Sequence, residues 1–212
     1  MEEIIKYAKE NHVPVVRPKT LEMLLDEVGK DNIKNILEIG TAIGFSGSQM
    51  LLRNTSANLV TIEKNDLMFE VSKANFKRLG LDNRVKQING DAKEVLIQLL
   101  NNGQKFDLIF LDGPKGQYLS YLPTLKELLV DNGVLFADDV LFRGLVQGDA
   151  WPKHRIRTLV LNLRKYLEEV QQSPFVSTVY EIEDGVCITR KEKSNDWVIS
   201  PCWQYGKIKN CH

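Results

Sequence analysis

The chain has 212 residues, of which 43% are hydrophobic and 26% are charged. This apolar content excludes a disordered chain, and the length excludes a miniprotein whose core depends on disulfides or a structural metal. The 28 basic and 28 acidic side chains cancel. The balance excludes attachment to nucleic acid or to an anionic membrane through bulk charge alone, and it leaves a local basic face open.

Two helices are predicted at the start of the chain, over residues 1–11 and 20–28, separated by Pro14 and Pro18. Short apolar runs rich in β-branched residues then alternate with longer segments of helical period. The strands are predicted over 35–39, 58–62, 84–88, 106–111 and 133–137, with helices near 46–54, 66–79, 91–101 and 117–130. Four consecutive βα units predict a parallel, doubly wound α/β sheet of the Rossmann type, with helices on both faces.

The remaining elements complete the sheet. A helix is predicted over 153–169, followed by two strands joined at Glu183-Asp184-Gly185, because an Asp-Gly step between apolar runs is typical of a hairpin turn. We therefore expect seven strands, mostly parallel, with an antiparallel C-terminal hairpin. One domain should span residues 1–191, with residues 1–30 covering its ligand site, and the tail 192–212 shows no clear period.

The cysteines and the apolar runs bear on the compartment of the protein. Cys187, Cys202 and Cys211 are an odd number without a CxxC pair, so they support neither a disulfide framework nor, together with His212, a zinc site. The first residues carry acids, and no run of about 18 apolar residues occurs. These patterns predict a cytoplasmic protein that does not contact the membrane.

The loop Gly40-Thr41-Ala42-Ile43-Gly44 follows the first strand and opens into a helix, where a parallel sheet binds a nucleotide-like ligand. The dinucleotide fingerprint needs a closer spacing of glycines so that a pyrophosphate meets the helix N-terminus. Glu38, two residues before Gly40, would repel a pyrophosphate and would suit a cationic ligand. The alternative is that the glycines only shape a turn.

Two further acids follow the next strands. Glu63 closes the second strand about twenty residues after the glycine loop, where a carboxylate accepts from both ribose hydroxyls of a nucleotide. Asp91 follows the third strand and can accept from an adenine amino group or cap the next helix. An adenosine joined to a positively charged group describes S-adenosylmethionine, and the sequence predicts that cofactor.

Three carboxylates are predicted to meet at the same edge of the sheet. Asp112 ends the fourth strand, and Asp138 and Asp139 end the fifth. Three acids this close need a counter-cation, and without Cys or His among them a hard divalent ion such as Mg²⁺ is expected. The alternative assigns these acids to helix caps and turns. Lys115 lies on the same loop as Asp112. Its ammonium group can lie beside an acceptor hydroxyl, where it lowers the pKa of that hydroxyl or receives its proton. The alternative is a solvated loop lysine.

These residues carry a resemblance to a known family. The motifs are Glu38-Ile39-Gly40 through Gly44-Phe45-Ser46, Thr61-Ile62-Glu63, Phe110-Leu111-Asp112 with Lys115 and Tyr118, and Ala137-Asp138-Asp139-Val140. The chain from about Val13 to Arg190 resembles the metal-dependent class I O-methyltransferases of the catechol and caffeoyl-CoA type. Residues 111–118 and 140–144 are most similar to its bacterial subgroup that methylates 5-hydroxyuridine in tRNA.

The resemblance implies roles for particular residues. Asp112, Asp138 and Asp139 correspond to the metal ligands, Glu63 to the ribose acceptor, and Lys115, with Asp112, to the catalytic residues. The implied cofactor-binding set comprises Val15, Glu38, Gly40, Thr41, Ala42, Ser46, Glu63, Asp91, Ala92 and Asp112. The animal catechol enzymes have Asn at position 139, and the aromatic residues that flank their catechol are replaced by Gly113 and Pro114. The extra charge of Asp139 bears on how tightly the metal binds and on the acidity of a bound hydroxyl, and the missing aromatic residues argue against a small flat phenol.

A basic segment follows the predicted metal ligands. The segment between Leu141 and Tyr166 contains six basic residues and one acidic residue, Asp149. Such a segment can contact phosphates while Trp151 or Phe142 stacks on an unpaired base. The residues predicted to contact RNA are Arg17, Lys19, Arg143, Lys153 and Arg155. The alternative is a solvated helix face with a buried tryptophan.

The resulting hypothesis is methyl transfer from S-adenosylmethionine to a hydroxyl group held by Mg²⁺ or a similar ion. The resemblance favours 5-hydroxyuridine at the wobble position of the tRNA anticodon loop as acceptor, and it implies a homodimer. The main alternative keeps the chemistry with a small catechol or hydroxycinnamoyl compound. A nucleotide-binding module without catalysis and a nicotinamide-dependent oxidoreductase are further alternatives, and the absent dinucleotide fingerprint argues against the last.

Overall fold

The computed structural model describes residues 1–148 and 152–193. Its helices and strands are α1 Glu2–Glu10, α2 Pro18–Val28, β1 Asn35–Ile39, α3 Phe45–Arg53, β2 Asn58–Glu63, α4 Asp66–Arg78, β3 Val85–Asn89, α5 Ala92–Asn101, β4 Phe106–Leu111, α6 Tyr118–Leu128, β5 Leu129–Ala137, α7 Arg157–Glu169, β6 Phe175–Tyr180 and β7 Val186–Lys191. The predictions for Asp149, Trp151, Cys202, Cys211 and His212 lie outside the described residues.

The strands form one seven-stranded sheet in the order β3-β2-β1-β4-β5-β7-β6. Neighbouring strands from β3 to β5 are parallel, and β7 pairs antiparallel with both β5 and β6. The predicted doubly wound sheet with a C-terminal antiparallel hairpin is confirmed. The strand order reverses between β1 and β4, so the loops that follow these two strands lie at the switch point where such sheets bind ligands.

Both faces of the sheet are covered, because the central strands are apolar on both sides. In β1, Leu37 and Ile39 point into one core with residues of α5, α6 and α7. Ile36 points into the opposite core with residues of α1, α2, α3 and α4. Ile36 and Leu37 are fully buried. The alternation fixes the register of β1, and with it the position of the loop that follows Ile39.

The starts of three elements differ from the predictions by two residues or more. The strand β5 begins at Leu129 rather than at residue 133, because Leu129 already pairs with Phe106 of β4. A bulge follows this pair, and it keeps the polar residues before Gly133 within the strand. The helix α2 begins at Pro18 rather than after it, since proline is favoured in the first helical turn. The helix α7 begins at Arg157, preceded by a 3-10 turn at His154–Ile156.

Within residues 1–148 and 152–193, no helix is long and apolar enough to cross a membrane. The predicted extent of a single domain, residues 1–191, stays a prediction.

Candidate functional site

A cleft of about 740 Å³ lies at the carboxyl edge of the parallel strands. Its floor consists of the loops that follow β1, β2, β3, β4 and β5, and its outer side is Pro14–Arg17, here called the N-terminal wall. The predicted site residues that line it are Val15, Arg17, Gly40, Ala42, Glu63, Asp91, Ala92, Asp112, Lys115, Asp138 and Asp139. The sheet topology thus brings one cofactor-type loop and one acidic cluster into a single cavity.

Gly40 joins these two parts of the cleft. Its φ is +101°, and a Cβ atom at this position would lie 2.4 Å from the carbonyl oxygen of Asp112. Only glycine allows this backbone approach, since a side chain would collide with the neighbouring strand end. The backbone N–H of Asp112 donates to the carbonyl of Ile39, so the loops after β1 and β4 are in direct contact.

Glu63 is oriented by backbone groups. Its two carboxylate oxygens accept separately from the N–H groups of Ala42, at 2.8 Å, and Asn65, at 2.7 Å. Each oxygen keeps a free lone pair, so the carboxylate can accept two more hydrogen bonds from a ligand in the cleft. This is the arrangement that two ribose hydroxyls require.

Asp91 follows β3, the strand next to that of Glu63, and has two partners of its own. It caps α5 by accepting from the N–H of Lys93, and it forms an ion pair of 2.7 Å with Lys64. The Lys64 side chain, followed by the N–H of Lys93, lowers the pKa of Asp91. The sequence left a helix cap and an adenine contact open for Asp91, and the cap is present.

The side chains of Glu38, Thr41 and Ser46 are buried and do not line the cleft. Glu38 is fully buried and accepts from the hydroxyls of Ser46, at 2.5 Å, and Thr61, at 2.6 Å. Thr61 also lies 2.6 Å from the hydroxyl of Thr41. Burial raises the pKa of Glu38 to about 7 despite these hydrogen bonds. These hydrogen bonds tie the loop, through Thr41, and the first turn of α3, through Ser46, to the buried Thr61 and Glu38.

The three predicted metal-ligating acids converge. Carboxylate oxygens of Asp112, Asp138 and Asp139 lie within 4.8 Å of one another. Asp138 is 4% exposed, and burial together with Asp112 and Asp139 raises its pKa to about 7. Burial also raises the pKa of Asp112. Three oxygen donors that repel one another at this distance fit a hard divalent cation such as Mg²⁺, which would neutralise them.

Lys115 is part of this cluster rather than a solvated loop residue. Its Nζ atom lies 2.7 Å from Asp112 and 3.3 Å from Asp139, and its side chain is 15% exposed. Burial alone would lower the pKa of Lys115, but the carboxylates of Asp112 and Asp139 raise it above its ordinary value. Lys115 therefore remains a cation at the acidic end of the cleft.

The buried ring of Tyr118 lies under the cluster. Its hydroxyl is 2.9 Å from the carbonyl oxygen of Leu111 and 3.1 Å from that of Asp138. The ammonium of Lys115 lies 5.6 Å from the centre of the ring. Tyr118 thus bridges the ends of β4 and β5 and fixes the spacing between Asp112 and Asp138.

The loop after β5, residues 138–148, is called here the β5 loop. Asp139, Phe142 and Arg143 have φ values of 56°, 41° and 58°. These values lie in the left-handed region, which is unfavourable for residues other than glycine. Arg164 of α7 holds the far end of this loop by donating to the carbonyls of Val146, at 3.0 Å, Leu145 and Gly148. The contacts keep a strained loop in one place next to the acidic cluster.

The predicted RNA-contacting residues are not all in the cleft. Arg17 lines it and forms an ion pair of 2.5 Å with Asp184. Arg17, followed by the backbone N–H of Arg143, lowers the pKa of Asp184, so Asp184 contacts both Arg17 and the middle of the β5 loop. Lys19, Lys153 and Arg155 are exposed and do not line the cleft. Arg164, counted in the basic segment, anchors the β5 loop instead.

Some residues of the site were not found by sequence reasoning. Lys64, Gln117 and Tyr121 line the cleft. Tyr121 follows Tyr118 by one helical turn, so helical spacing could have indicated it. Glu183 and Asp184 were interpreted only as a turn, yet both contact the N-terminal region of the chain. Those contacts span more than 160 residues of sequence, and no local signal marks them.

The geometry defines a class of protein: a doubly wound sheet with a nucleotide-type loop and a carboxylate cluster for a hard cation in one cleft. Residues 2–192 match the O-methyltransferase family, and the chain belongs to it. The match covers nearly all described residues, including both parts of the cleft.

Relatives by sequence include plant enzymes. The chain is 27% identical over 187 residues to caffeoyl-CoA O-methyltransferase of Populus kitakamiensis, covering 84% of this chain and 77% of that protein. It is 28% identical over 183 residues to tapetum-specific methyltransferase 1 of Arabidopsis thaliana, with the same coverage of 84% and 77%.

Two solved structures are similar in fold and sequence. A putative caffeoyl-CoA O-methyltransferase from Staphylococcus aureus aligns with a TM-score of 0.81 and 31% identity over 90% of this chain and 91% of that one. A methyltransferase from Podospora anserina with bound S-adenosylhomocysteine (SAH) aligns with a TM-score of 0.76 and 27% identity over 90% and 88% of the two chains.

Proposed function

We propose that this chain transfers a methyl group from S-adenosylmethionine to a hydroxyl group, with the help of a divalent cation. One observation carries the proposal: Asp112, Asp138, Asp139 and Lys115 converge in the same cleft as Glu63. Family membership supports the reaction class, and the relative from Podospora anserina that binds SAH, the demethylated product, supports the cofactor.

The cofactor occupies the part of the cleft between Glu63 and Asp91. Glu63 accepts from the ribose hydroxyls with the lone pairs that Ala42 and Asn65 leave free. Gly40 lets the loop after β1 pack directly against the loop after β4, so the cofactor part of the cleft adjoins Asp112. S-adenosylmethionine supplies a methyl group on a positively charged sulfur, and the nearby carboxylates stabilise that charge.

The acidic cluster serves the acceptor. Asp112, Asp138 and Asp139 would hold Mg²⁺ or another hard divalent ion, which supplies Lewis acidity and a fixed point for orienting the acceptor. Lys115 keeps its proton and places a second positive charge at the same end of the cleft. A negative charge that develops on an acceptor oxygen is therefore stabilised by Lys115.

The names of the relatives favour a phenolic acceptor. Two of those described above are named for caffeoyl-CoA, and the cleft is large enough for a cofactor and a small ring compound. A catechol or hydroxycinnamoyl compound is accordingly the first candidate. Beside these positive charges its hydroxyl is acidic enough to release its proton to solvent near neutral pH, and the oxygen then takes the methyl group as the bond from sulfur to that group breaks.

The second candidate is 5-hydroxyuridine at the wobble position of tRNA. It rests on basic residues that follow the acidic cluster in the chain, since Arg143, Lys153 and Arg155 are exposed, and on Arg17, which lines the cleft. Gly113 and Pro114 line the cleft at the positions where the catechol enzymes that the chain resembles carry aromatic residues beside the substrate. Association into a homodimer would double this basic surface, and light scattering of the purified protein tests it.

A salt titration separates the two acceptors. The purified enzyme with Mg²⁺ and labelled S-adenosylmethionine is offered catechols, hydroxycinnamoyl thioesters and tRNA containing 5-hydroxyuridine. Methylation of RNA should fall steeply between low and moderate salt because phosphate contacts release counterions, while methylation of a neutral phenol should respond little. The variant Arg143→Ala should weaken only the RNA reaction. Failure to methylate any of these acceptors at any salt concentration contradicts the proposed acceptors.

A further inference from the structure

We infer that the turn between β6 and β7, residues Glu183–Gly185, positions the N-terminal wall of the cleft for cofactor binding. The inference rests on the proposed function, since it concerns the same cofactor, and it assigns a task to two acidic residues outside the cleft. Here this segment is called the hairpin turn. It contacts the N-terminal wall through side chains and the β5 loop through its backbone.

Glu183 caps the helix α2 from a distant part of the chain. Its carboxylate accepts from the Thr20 hydroxyl at 2.8 Å, the Thr20 N–H at 3.0 Å and the Lys19 N–H at 3.3 Å. These N–H groups belong to the first turn of an 11-residue helix whose N-cap residue, Arg17, makes no side-chain cap. A carboxylate there satisfies free donors and favours the positive end of the helix dipole.

Asp184 binds the wall itself. Its carboxylate forms the 2.5 Å ion pair with Arg17, the last residue of the N-terminal wall. Arg17 is followed directly by Pro18, where α2 begins. The two acids therefore hold consecutive parts of one segment, Asp184 at the cleft and Glu183 at the start of the helix behind it.

The backbone of the hairpin turn is tied to the acidic end of the cleft. The carbonyls of Gly185 and Asp184 accept from the N–H groups of Val140, at 3.0 Å, and Leu141, at 2.8 Å. Gly185 has a φ of +88°, and a Cβ atom there would lie 2.2 Å from the side chain of Leu141. This close packing sets the hairpin turn at a fixed distance from the β5 loop. Because the hairpin turn also holds the N-terminal wall, the position of that wall relative to the β5 loop is fixed as well.

The contacts predict how removal of the carboxylates should act. Without Glu183, the first turn of α2 loses its cap and the N-terminal wall is held less firmly over the cofactor. Hydrogen bonds to a charged group are strong, and their loss in a partly exposed position should weaken cofactor binding about tenfold. The Michaelis constant for the cofactor should rise, while kcat at saturation should change little, because neither acid touches the reacting groups.

The experiment compares SAH binding to the full-length wild type, Glu183→Ala and Glu183→Gln by calorimetry. We expect the affinity to fall about tenfold in Glu183→Ala and less in Glu183→Gln, which keeps an acceptor oxygen. Amide exchange should quicken over residues 14–24 in Glu183→Ala and stay unchanged in β1 and β4. Glu22→Ala, which removes an exposed glutamate of the same helix, is the matched control and should bind as the wild type does.

The outcomes separate the two proposals. Equal affinity for SAH in the wild type and in Glu183→Ala overturns the inference and leaves the proposed function standing. A wild type that does not bind SAH at all overturns both. If Glu183→Ala does not fold, Glu183→Gln and Asp184→Asn decide: unchanged affinity and amide exchange in both overturns the inference, and weaker binding by a folded variant supports it.

Discussion

The ammonium of Lys115 lies 2.7 Å from the carboxylate of Asp112, so the acidic end of the cleft carries a cation of its own. The same ammonium lies 3.3 Å from Asp139. Lys115 thus shares two carboxylates with the divalent ion that the cluster fits. The charge of Lys115 offsets part of the repulsion among the three acids, and it also opposes the binding of the divalent ion.

Replacing Lys115 should separate catalysis from metal binding. In Lys115→Met we expect kcat to fall about a hundredfold, because positive charge next to the acceptor oxygen is lost. Affinity for Mg²⁺ should stay the same or increase, since a like charge has been removed. Steady-state methyl transfer and calorimetric titration with Mg²⁺ measure the two effects.

Lys77→Met, which changes an exposed lysine of α4, serves as the control and should leave both quantities unchanged. A loss of Mg²⁺ affinity in Lys115→Met in parallel with the loss of kcat would show that Lys115 only maintains the structure of the cluster.

Gly40 should not tolerate a side chain. In Gly40→Ala the new Cβ atom would collide with the Asp112 carbonyl at 2.4 Å, so the loops after β1 and β4 must separate and SAH binding should be lost. Gly80 also has a positive φ, +68°, but no atom of residues 1–148 or 152–193 lies within 4 Å of a Cβ added there. Gly80→Ala should therefore cost only about 1–2 kcal/mol of stability and bind SAH normally. Comparable SAH affinities of the two variants would contradict the role assigned to Gly40.

The buried carboxyl of Glu38 should make stability depend on pH. Burial raises its pKa to about 7, so the folded protein keeps a proton that the unfolded chain releases near pH 4.5. The stability that the neutral Glu38 carboxyl contributes to the folded protein is complete below pH 4.5 and is lost as the pH rises through 7. Glu38→Gln cannot ionise and should be more stable than the wild type above pH 7, by about 3 kcal/mol.

Urea unfolding between pH 4.5 and 8 measures this difference, with Glu70→Gln, an exposed glutamate of α4, as control. Parallel pH profiles for Glu38→Gln and the wild type would mean that Glu38 is ionised throughout this range.

Arg164 should act on the acceptor side of the cleft. Its guanidinium donates to three carbonyls of the β5 loop, a geometry that an ammonium does not reproduce. Arg164→Lys keeps the charge, and we expect the Michaelis constant for the acceptor to rise about tenfold while SAH affinity stays unchanged. Calorimetry and steady-state kinetics distinguish the two ligands, and an equal loss of both affinities would refute a local role for Arg164.

Much of the fold follows from local sequence patterns. The alternation of apolar strands with helical segments predicts the parallel sheet, and Asp184-Gly185 predicts the hairpin. The boundary errors have local causes as well: a helix that begins on Pro18, and a strand that continues through the polar residues before Gly133. Neither is marked by periodicity, because proline and polar residues are read as breaks.

The site is only partly readable from the sequence. Acids that end parallel strands must meet at one edge, so the convergence of Asp112 with Asp138 follows from strand order. Strand order does not tell which of the acids is buried, and Glu38 is buried instead of lining the cleft. The contacts of Glu183 with Thr20 and of Asp184 with Arg17 depend on how the sheet edge folds over the N-terminal helices. Only the assembled structure brings such residues together.

The most direct test of the central claim is the transfer of labelled methyl groups from S-adenosylmethionine to the phenolic and RNA acceptors, with and without a divalent ion. The account predicts transfer that stops when the ion is chelated, returns when Mg²⁺ is added, and is absent in Asp138→Asn, which removes one charged ligand while keeping its size. Transfer that survives both chelation and Asp138→Asn, or no transfer to either class of acceptor under any condition, would contradict it.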